Sequence, residues 1–269
     1  MSALTLPGGL PGTDEFIEYC EHMRTWNYML RAEAQAQLGP PIEPAGSAVF
    51  GSARVWFAGA RARVHLLGPS SLEQLPALEG WLAERGLDAI FDVVPTVASR
   101  PVVLELVQRG YHLVSWQPSL YRALAVPVDA VREAVEVEEV SAEDGDFRNT
   151  FLGAYEIPAQ ELEYAAIVSA ARWRAENARC FLARIEGRPI AAATLVVRER
   201  CARLANCATL PHSRNLGAQA ALIRARLRCA AELGLGLAVS DARQGGSSLR
   251  NLTRSGFALS AHITQWQKR

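Results

Sequence analysis

Apolar and polar positions along this chain follow two alternating periods, and the switches between them predict an α/β architecture. A helical spacing of Phe16, Ile17, Tyr19, Cys20 and Met23 follows Asp14-Glu15, two acids suited to the positive end of a helix dipole. Gly39-Pro40-Pro41 then breaks the pattern. Short strands are predicted over Ala48–Phe50 and Arg54–Ala58. A third over Arg61–Leu67 alternates Arg61, Arg63 and His65 with Ala62, Val64 and Leu66. Ser70-Ser71 is placed to cap a helix running to Arg85, with Leu72, Leu75, Leu78, Trp81 and Leu82 on one face and Pro76 delaying its regular start. A strand over Leu87–Val94, a helix over 101–109 closed by Gly110-Tyr111, and a strand over Tyr111–Leu124 complete this half. Residues 1–13 read as a loose lead-in and Val126-Pro127 as a linker.

A second series follows. Its predicted elements are a strand over Val135–Val140, helices around Asp146–Tyr155 and Glu161–Glu176, and a hairpin of Arg179–Ile185 with Pro189–Arg198 about Glu186-Gly187. Next come a strand over Cys201–Leu210, a helix from Gln219 to Leu233, a strand over Leu235–Ser240 and a helix over Ser247–Arg254. Gly256-Phe257 leads into a last strand ending near Trp266.

Composition narrows the class. With 49% apolar and 21% charged residues the chain is globular, and 269 residues suffice for two domains. A formal net charge of zero argues against a nucleic-acid binder working through bulk charge. Five cysteines without a CxxC or Cys/His cluster argue against a zinc site or a disulfide framework. No stretch has the pattern of a signal peptide or a membrane span. The expectation is a cytoplasmic protein without a metal, a monomer or a homodimer.

Chemistry concentrates at one strand–turn–helix junction. The apolar run through Cys207, Ala208, Thr209 and Leu210 stops at Pro211, and Arg214-Asn215-Leu216-Gly217-Ala218 forms a polar turn. Helix formers follow from Ala220. A glycine-bearing turn feeding a helix leaves amides unpaired at the positive end of the dipole, where phosphate oxygens bind.

The two halves end alike: a helix closed by Gly86 or Gly234, a strand with Phe91-Asp92 or Ser240-Asp241, then a helix closed by Gly110-Tyr111 or Gly256-Phe257, then a strand. This reads as a duplication. The halves differ at the turn. The first has only Leu67-Gly68-Pro69-Ser70-Ser71, in which Pro69 removes a donor and no arginine is present. It therefore reads as a scaffold or as a wall of the substrate cleft.

At this point the residues resemble the GNAT superfamily of N-acetyltransferases. Arg214 and Gly217 fill the first and fourth positions of a loop resembling the family's Arg/Gln-x-x-Gly-x-Gly/Ala. Ser248 to Phe257 resembles its Asn-bearing helix ending in Gly-Phe. The resemblance covers most of residues 135–269. It implies a tandem of two mixed, mostly antiparallel α/β domains, a degenerate copy over 1–128 and an acyl-CoA-binding copy over 129–269. By that resemblance the pantetheine arm pairs with the strand at Cys207, Ala208, Thr209 and Leu210, as an added strand would. Arg214, Asn215, Leu216, Gly217, Ala218, Gln219 and Ala220 hold the pyrophosphate, and Asn251 and Arg254 lie near the distal pantetheine or the nucleotide end. The implied reaction is direct attack of an amine on acetyl-CoA or another acyl-CoA, with a backbone amide near Cys207 or Ala208 polarising the carbonyl.

The sequence departs from the family at three positions. Gln219 replaces a small loop residue, the strand before the loop carries no glutamate, and Leu252 stands where many members have a tyrosine acid. Asp241 is the candidate catalytic carboxylate, weighed against a turn or cap role. His212 reads as a solvated turn residue and Cys207 as a small core residue, and Tyr155-Glu156 is balanced between site and surface. The expected acceptor is a small-molecule amine, with no membrane partner. Two alternatives stand beside this reading: a non-catalytic acyl-CoA-binding or regulatory module, and an acyltransferase using another donor such as aminoacyl-tRNA, the one nucleic-acid partner considered.

Overall fold

The computed structural model describes residue 9 and residues 11–96, 99–125 and 134–268. By packing, the chain divides into two compact units. One holds Leu120–Ala258, and the other joins the described residues before Leu120 to those from Leu259 onward. The linker expected at Val126-Pro127 and the expected boundary between 128 and 129 lie outside the described residues. The division differs from a linear one in the final strand, which packs with the first half.

In the unit containing the N-terminal half, α1 (Asp14–Ala36) starts where the Thr13 hydroxyl accepts the Phe16 amide at 3.3 Å. Strands β1 (Ala45–Phe50), β2 (Ala53–Ala58) and β3 (Arg61–His65) form an antiparallel meander, and β4 (Asp88–Val93) runs parallel to β3. The expected cap at Ser70-Ser71 is not made. Pro69–Ser71 is a 3-10 turn, the Ser71 hydroxyl accepts the Ala53 amide at 2.9 Å, and α2 (Leu75–Glu84) starts later, with Pro76 in its first turn. After α3 (Arg100–Gln108) and β5 (Tyr111–Ala123), the partner of β4 is β11 (Ala258–Lys268), antiparallel with Thr264 opposite Val93. Valines, leucines and Phe91 from these elements form one core.

A buried ionic group lies on α1, β3 and β4. Arg24 Nη2 sits 2.7 Å from Asp92 Oδ2 and 2.8 Å from Glu21 Oε1, and both carboxylates are fully buried. Trp56 donates to His65 Nε2 at 2.9 Å, which leaves the ring hydrogen on Nδ1, facing Glu21 Oε1 at 3.1 Å. Glu21, His65 and Asp92 present donor atoms within 4.8 Å of one another, a metal-like arrangement that no sequence spacing announces. The Arg24 guanidinium supplies the positive charge these carboxylates require. Burial pushes the Glu21 carboxyl up, but Arg24 and His65 outweigh it and hold it near 2. Tyr28 stacks on Trp56 at 5.2 Å, so these two aromatics pack over the group.

The other unit orders its strands β10-β9-β8-β7-β6: β6 (Glu136–Val140), β7 (Arg179–Ile185), β8 (Arg188–Arg198), β9 (Cys201–Thr209) and β10 (Leu237–Asp241). The first four pair antiparallel, and β10 joins β9 in parallel. Ile190 through Val196 are all buried, as a strand covered on both faces requires. On one face, α4 (Gly145–Ala154) and α5 (Leu162–Ala175) bury Phe147, Phe151 and Trp173. On the other, α6 (Ala218–Glu232) and α7 (Ser247–Arg254) pack Leu222, Ile223, Leu227 and Leu252.

The repeat read from the sequence appears as β4–α3–β5 and β10–α7–β11. At the matching steps Gly110 and Gly256 take φ of 85° and 81°, a left-handed conformation that glycine adopts without strain. No described helix is long and apolar enough to cross a membrane.

Candidate active site

Strand β9 is regular at its start and irregular where the chemistry was expected. Cys201–Arg203 pair on one side with β10 and on the other with β8. From Leu204 onward the β10 side of β9 has no strand partner among the described residues. The Ser240 hydroxyl donates to the Leu204 carbonyl at 3.0 Å and closes the base of this opening. On the β8 side the register slips: Ala193 faces Cys207 but Thr194 faces Ala205, leaving Asn206 as a bulge with φ 41°. The bulge turns the backbone of Cys207, Ala208 and Thr209 into a cleft of about 940 Å³.

The turn after β9 delivers the helix start to the same cleft. Pro211–Ser213 form a 3-10 turn, Asn215 takes φ 68°, and Gly217 caps α6 with φ 86°. No side chain caps α6, so the amides at its first residues have no intrahelical acceptor and face the cleft from Gly217, Ala218, Gln219 and Ala220. The start of α7 is likewise without a side-chain cap, and Ser247 and Ser248 line the same space.

Gln219 ties the two helices together. Its amide nitrogen donates to Ser248 Oγ at 2.9 Å, and its oxygen accepts from Asn251 Nδ2 at 2.7 Å. This bridge gives a physical reason for a glutamine where the resembled loop has a small residue. Four arginines also line the cleft. Arg214 meets Glu156 at 3.5 Å, with both side chains more than half exposed, a pair worth less than about 1 kcal/mol. Arg243, Arg250 and Arg254 have no ion pair among the described residues. A chain of zero net charge thus concentrates positive charge here.

The cleft brings together Cys207, Ala208 and Thr209 from β9, Arg214 and Asn215 from the turn, Gly217 through Ala220 from α6, and Asn251 and Arg254 from α7. Three expected residues lie elsewhere. Leu210 donates its amide to the Ile190 carbonyl at 2.9 Å and directs its side chain at Gly153. Leu216 is exposed. Asp241 is the last residue of β10 and lies outside the cleft lining, 2.5 Å from Arg203 in a pair that is mostly buried. Leu252 is core, and His212 is exposed, as expected of a turn residue. Tyr155 joins the lining from the end of α4. Arg243 and Arg250, which flank Gly245-Gly246, were not singled out from the sequence, although basic residues around a glycine turn are a legible signal.

Residues 145–257 match the family model "Acetyltransferase (GNAT) family". That stretch holds every residue of the cleft lining. No curated protein gives a significant match. Among solved structures, a tandem GNAT protein from the clavulanic acid biosynthesis pathway is 14% identical, with a TM-score of 0.67 over 96% of each chain. A GCN5-related N-acetyltransferase from Kribbella flavida is 20% identical, with a TM-score of 0.62 over 89% of this chain and 95% of that one. The C-terminal domain of a proposed lysylphosphatidylglycerol synthetase from Agrobacterium fabrum is 11% identical, with a TM-score of 0.53 over 94% and 93%. At these identities the likeness is one of fold: a mixed α/β fold shared with a tandem GNAT protein, whose family supports acyl transfer as the activity.

Proposed function

We propose that the protein is an N-acyltransferase that moves an acyl group, by default acetyl, from acyl-CoA to a small-molecule amine. The observation that carries this reading is the convergence of the open edge of β9 with the bare start of α6 in one arginine-lined cleft. In this reading amides at Gly217–Ala220 and the Arg214 guanidinium hold the diphosphate, and Asn251 and Arg254 lie toward the nucleotide. The pantetheine arm lies along the open edge of β9 and takes the backbone bonds a neighbouring strand would take. The backbone amide at Cys207 or Ala208 polarises the thioester carbonyl while the amine attacks. The attacking amine must lose a proton, and the cleft lining contains no carboxylate, so the proton leaves through water. Asp241 is assigned no catalytic role, because Arg203 occupies its carboxylate.

The test is release of free CoA thiol from acetyl-CoA in the presence of an amine library. Acceptor-dependent thiol release is expected. A ligand-induced rise in melting temperature without thiol release for any amine favours a non-catalytic module, and absence of both favours a donor other than acyl-CoA.

A further inference from the structure

Arg226 lies on α6, two turns past the residues that line the cleft, and is only 2% exposed. It forms no ion pair among the described residues, so its charge is buried without a counter-charge. Its guanidinium makes backbone contacts instead. Nη1 donates to the Thr194 carbonyl at 3.0 Å and to the Ala205 carbonyl at 3.1 Å, and Nε donates to the Leu222 carbonyl at 3.0 Å.

Thr194 and Ala205 are the pair at which the β8–β9 register slips. Thr194 Oγ1 also donates to the Ala205 carbonyl at 3.2 Å and accepts from Asn206 Nδ2 at 3.1 Å. The bulge is thus pinned from behind by one fork of donors. Cys207, half-buried at the cleft wall, follows the bulge directly. A bulge needing only hydrogen bonds is satisfied by neutral donors, and a buried guanidinium is a costly substitute for them. What the guanidinium adds is rigidity and positive charge directly beneath the backbone that faces the cleft.

We propose that Arg226 is a positioning residue for acyl transfer, fixing the Asn206 bulge and with it the Cys207–Ala208 backbone against which a thioester carbonyl would lie. The proposal rests on the acyltransferase reading for its consequence in turnover, but not for its effect on the strand. It places no atom of Arg226 on the substrate. The residue acts through β9, in a direction that favours negative charge developing at the carbonyl oxygen.

Three variants of the full chain separate the contributions. Arg226→Met removes charge and donors, Arg226→Gln keeps a donor without charge, and Arg226→Lys keeps charge without the fork. Two readouts are used. The first is turnover with acetyl-CoA and the best acceptor. For Arg226→Met, kcat is expected to fall by about 10- to 100-fold while KM for acetyl-CoA stays within about threefold, with partial recovery in the Lys and Gln variants. The second needs no turnover: the pH midpoint of Cys207 alkylation by iodoacetamide, followed by peptide mass spectrometry. The other four cysteines are buried. Burial pushes the Cys207 thiol up and Arg226 opposes that push, so loss of the charge is expected to move the midpoint to higher pH in the Met and Gln variants but not in the Lys variant.

A folded Met variant with kcat within twofold of wild type overturns the proposal, as does an unmoved alkylation midpoint. If the Met variant does not fold, the Gln variant is read by the same criteria. If the midpoint shifts in the Met variant while the wild type turns over no amine, the acyltransferase reading is overturned and the hold of Arg226 on the strand stands.

Discussion

Gly217 is the position where the anion-binding reading is most exposed to test. Its φ of 86° makes any side chain strained, yet a Cβ built there meets no atom within 4 Å. Gly217→Ala therefore carries a backbone cost of about 1 kcal/mol and no clash. Gly217→Asp carries the same cost and adds a carboxylate beside the amides at the start of α6. Two unit charges about 4 Å apart repel by about 4 kcal/mol at an effective dielectric of about 20. Halving that for screening in an open cleft leaves about 2 kcal/mol, or roughly 30-fold in Kd. At an acetyl-CoA concentration about 100 times the wild-type Kd, the ligand stabilises the wild type by about 2.7 kcal/mol, and a 30-fold weaker Kd reduces this to about 0.9 kcal/mol. Differential scanning fluorimetry with and without acetyl-CoA should show the Asp variant keeping about a third of the wild-type shift and the Ala variant keeping nearly all of it. Equal shifts in wild type and the Asp variant would refute anion binding at this helix start. An Ala variant as impaired as the Asp variant would mean that backbone geometry, not charge, sets the affinity.

Two further outcomes are expected. Glu21→Gln should destabilise the unit built on α1 by about 3 kcal/mol at pH 7 in urea titration, because it breaks a buried charge group. The drop of the Glu21 carboxyl from 4.5 to about 2 in the folded state means that its contribution is complete above the unfolded value and fades as pH falls through 4.5 toward 2. The difference between wild type and variant should then shrink by about half at pH 3, and a constant difference would contradict the assignment. Asp241→Asn should cost about 2 kcal/mol of stability by removing the carboxylate from its mostly buried pair with Arg203, while the shape of the pH–rate profile stays that of the wild type. Loss of one limb of that profile would make Asp241 the catalytic base after all.

Much of this arrangement was legible in the residues, for identifiable reasons. The helix over Ser247–Arg254 and the strand over Arg179–Ile185 fall where periodicity and flanking glycines place them. The loop from Arg214 to Ala220 was legible because a proline stop, a glycine and a run of helix formers leave few alternatives. Features that depend on distant partners were not. Ser71 is a plausible cap by its neighbours, but Ala53 and Ser52 claim its hydroxyl. Asp241 reads from its neighbours as a cleft carboxylate or a turn or cap residue, because its partner Arg203 lies 38 positions away. Arg226 looks like an ordinary solvated helix arginine until β9 is laid beneath it, and no local pattern marks Asn206 as a bulge. The reason for Gln219 appears only when α6 and α7 are brought side by side.

The pairing of β11 with β4 constrains how the protein is made. On the ribosome, the segment from α1 to β5 emerges first, yet the strand beside β4 is translated only after every residue of the other unit. The first-synthesised half therefore waits with an unpaired sheet edge while some 140 further residues are added, on the order of ten to thirty seconds at ordinary elongation rates. That interval exposes β4 to wrong partners, and it makes the order of completion the reverse of the order of synthesis: the unit begun first is finished last.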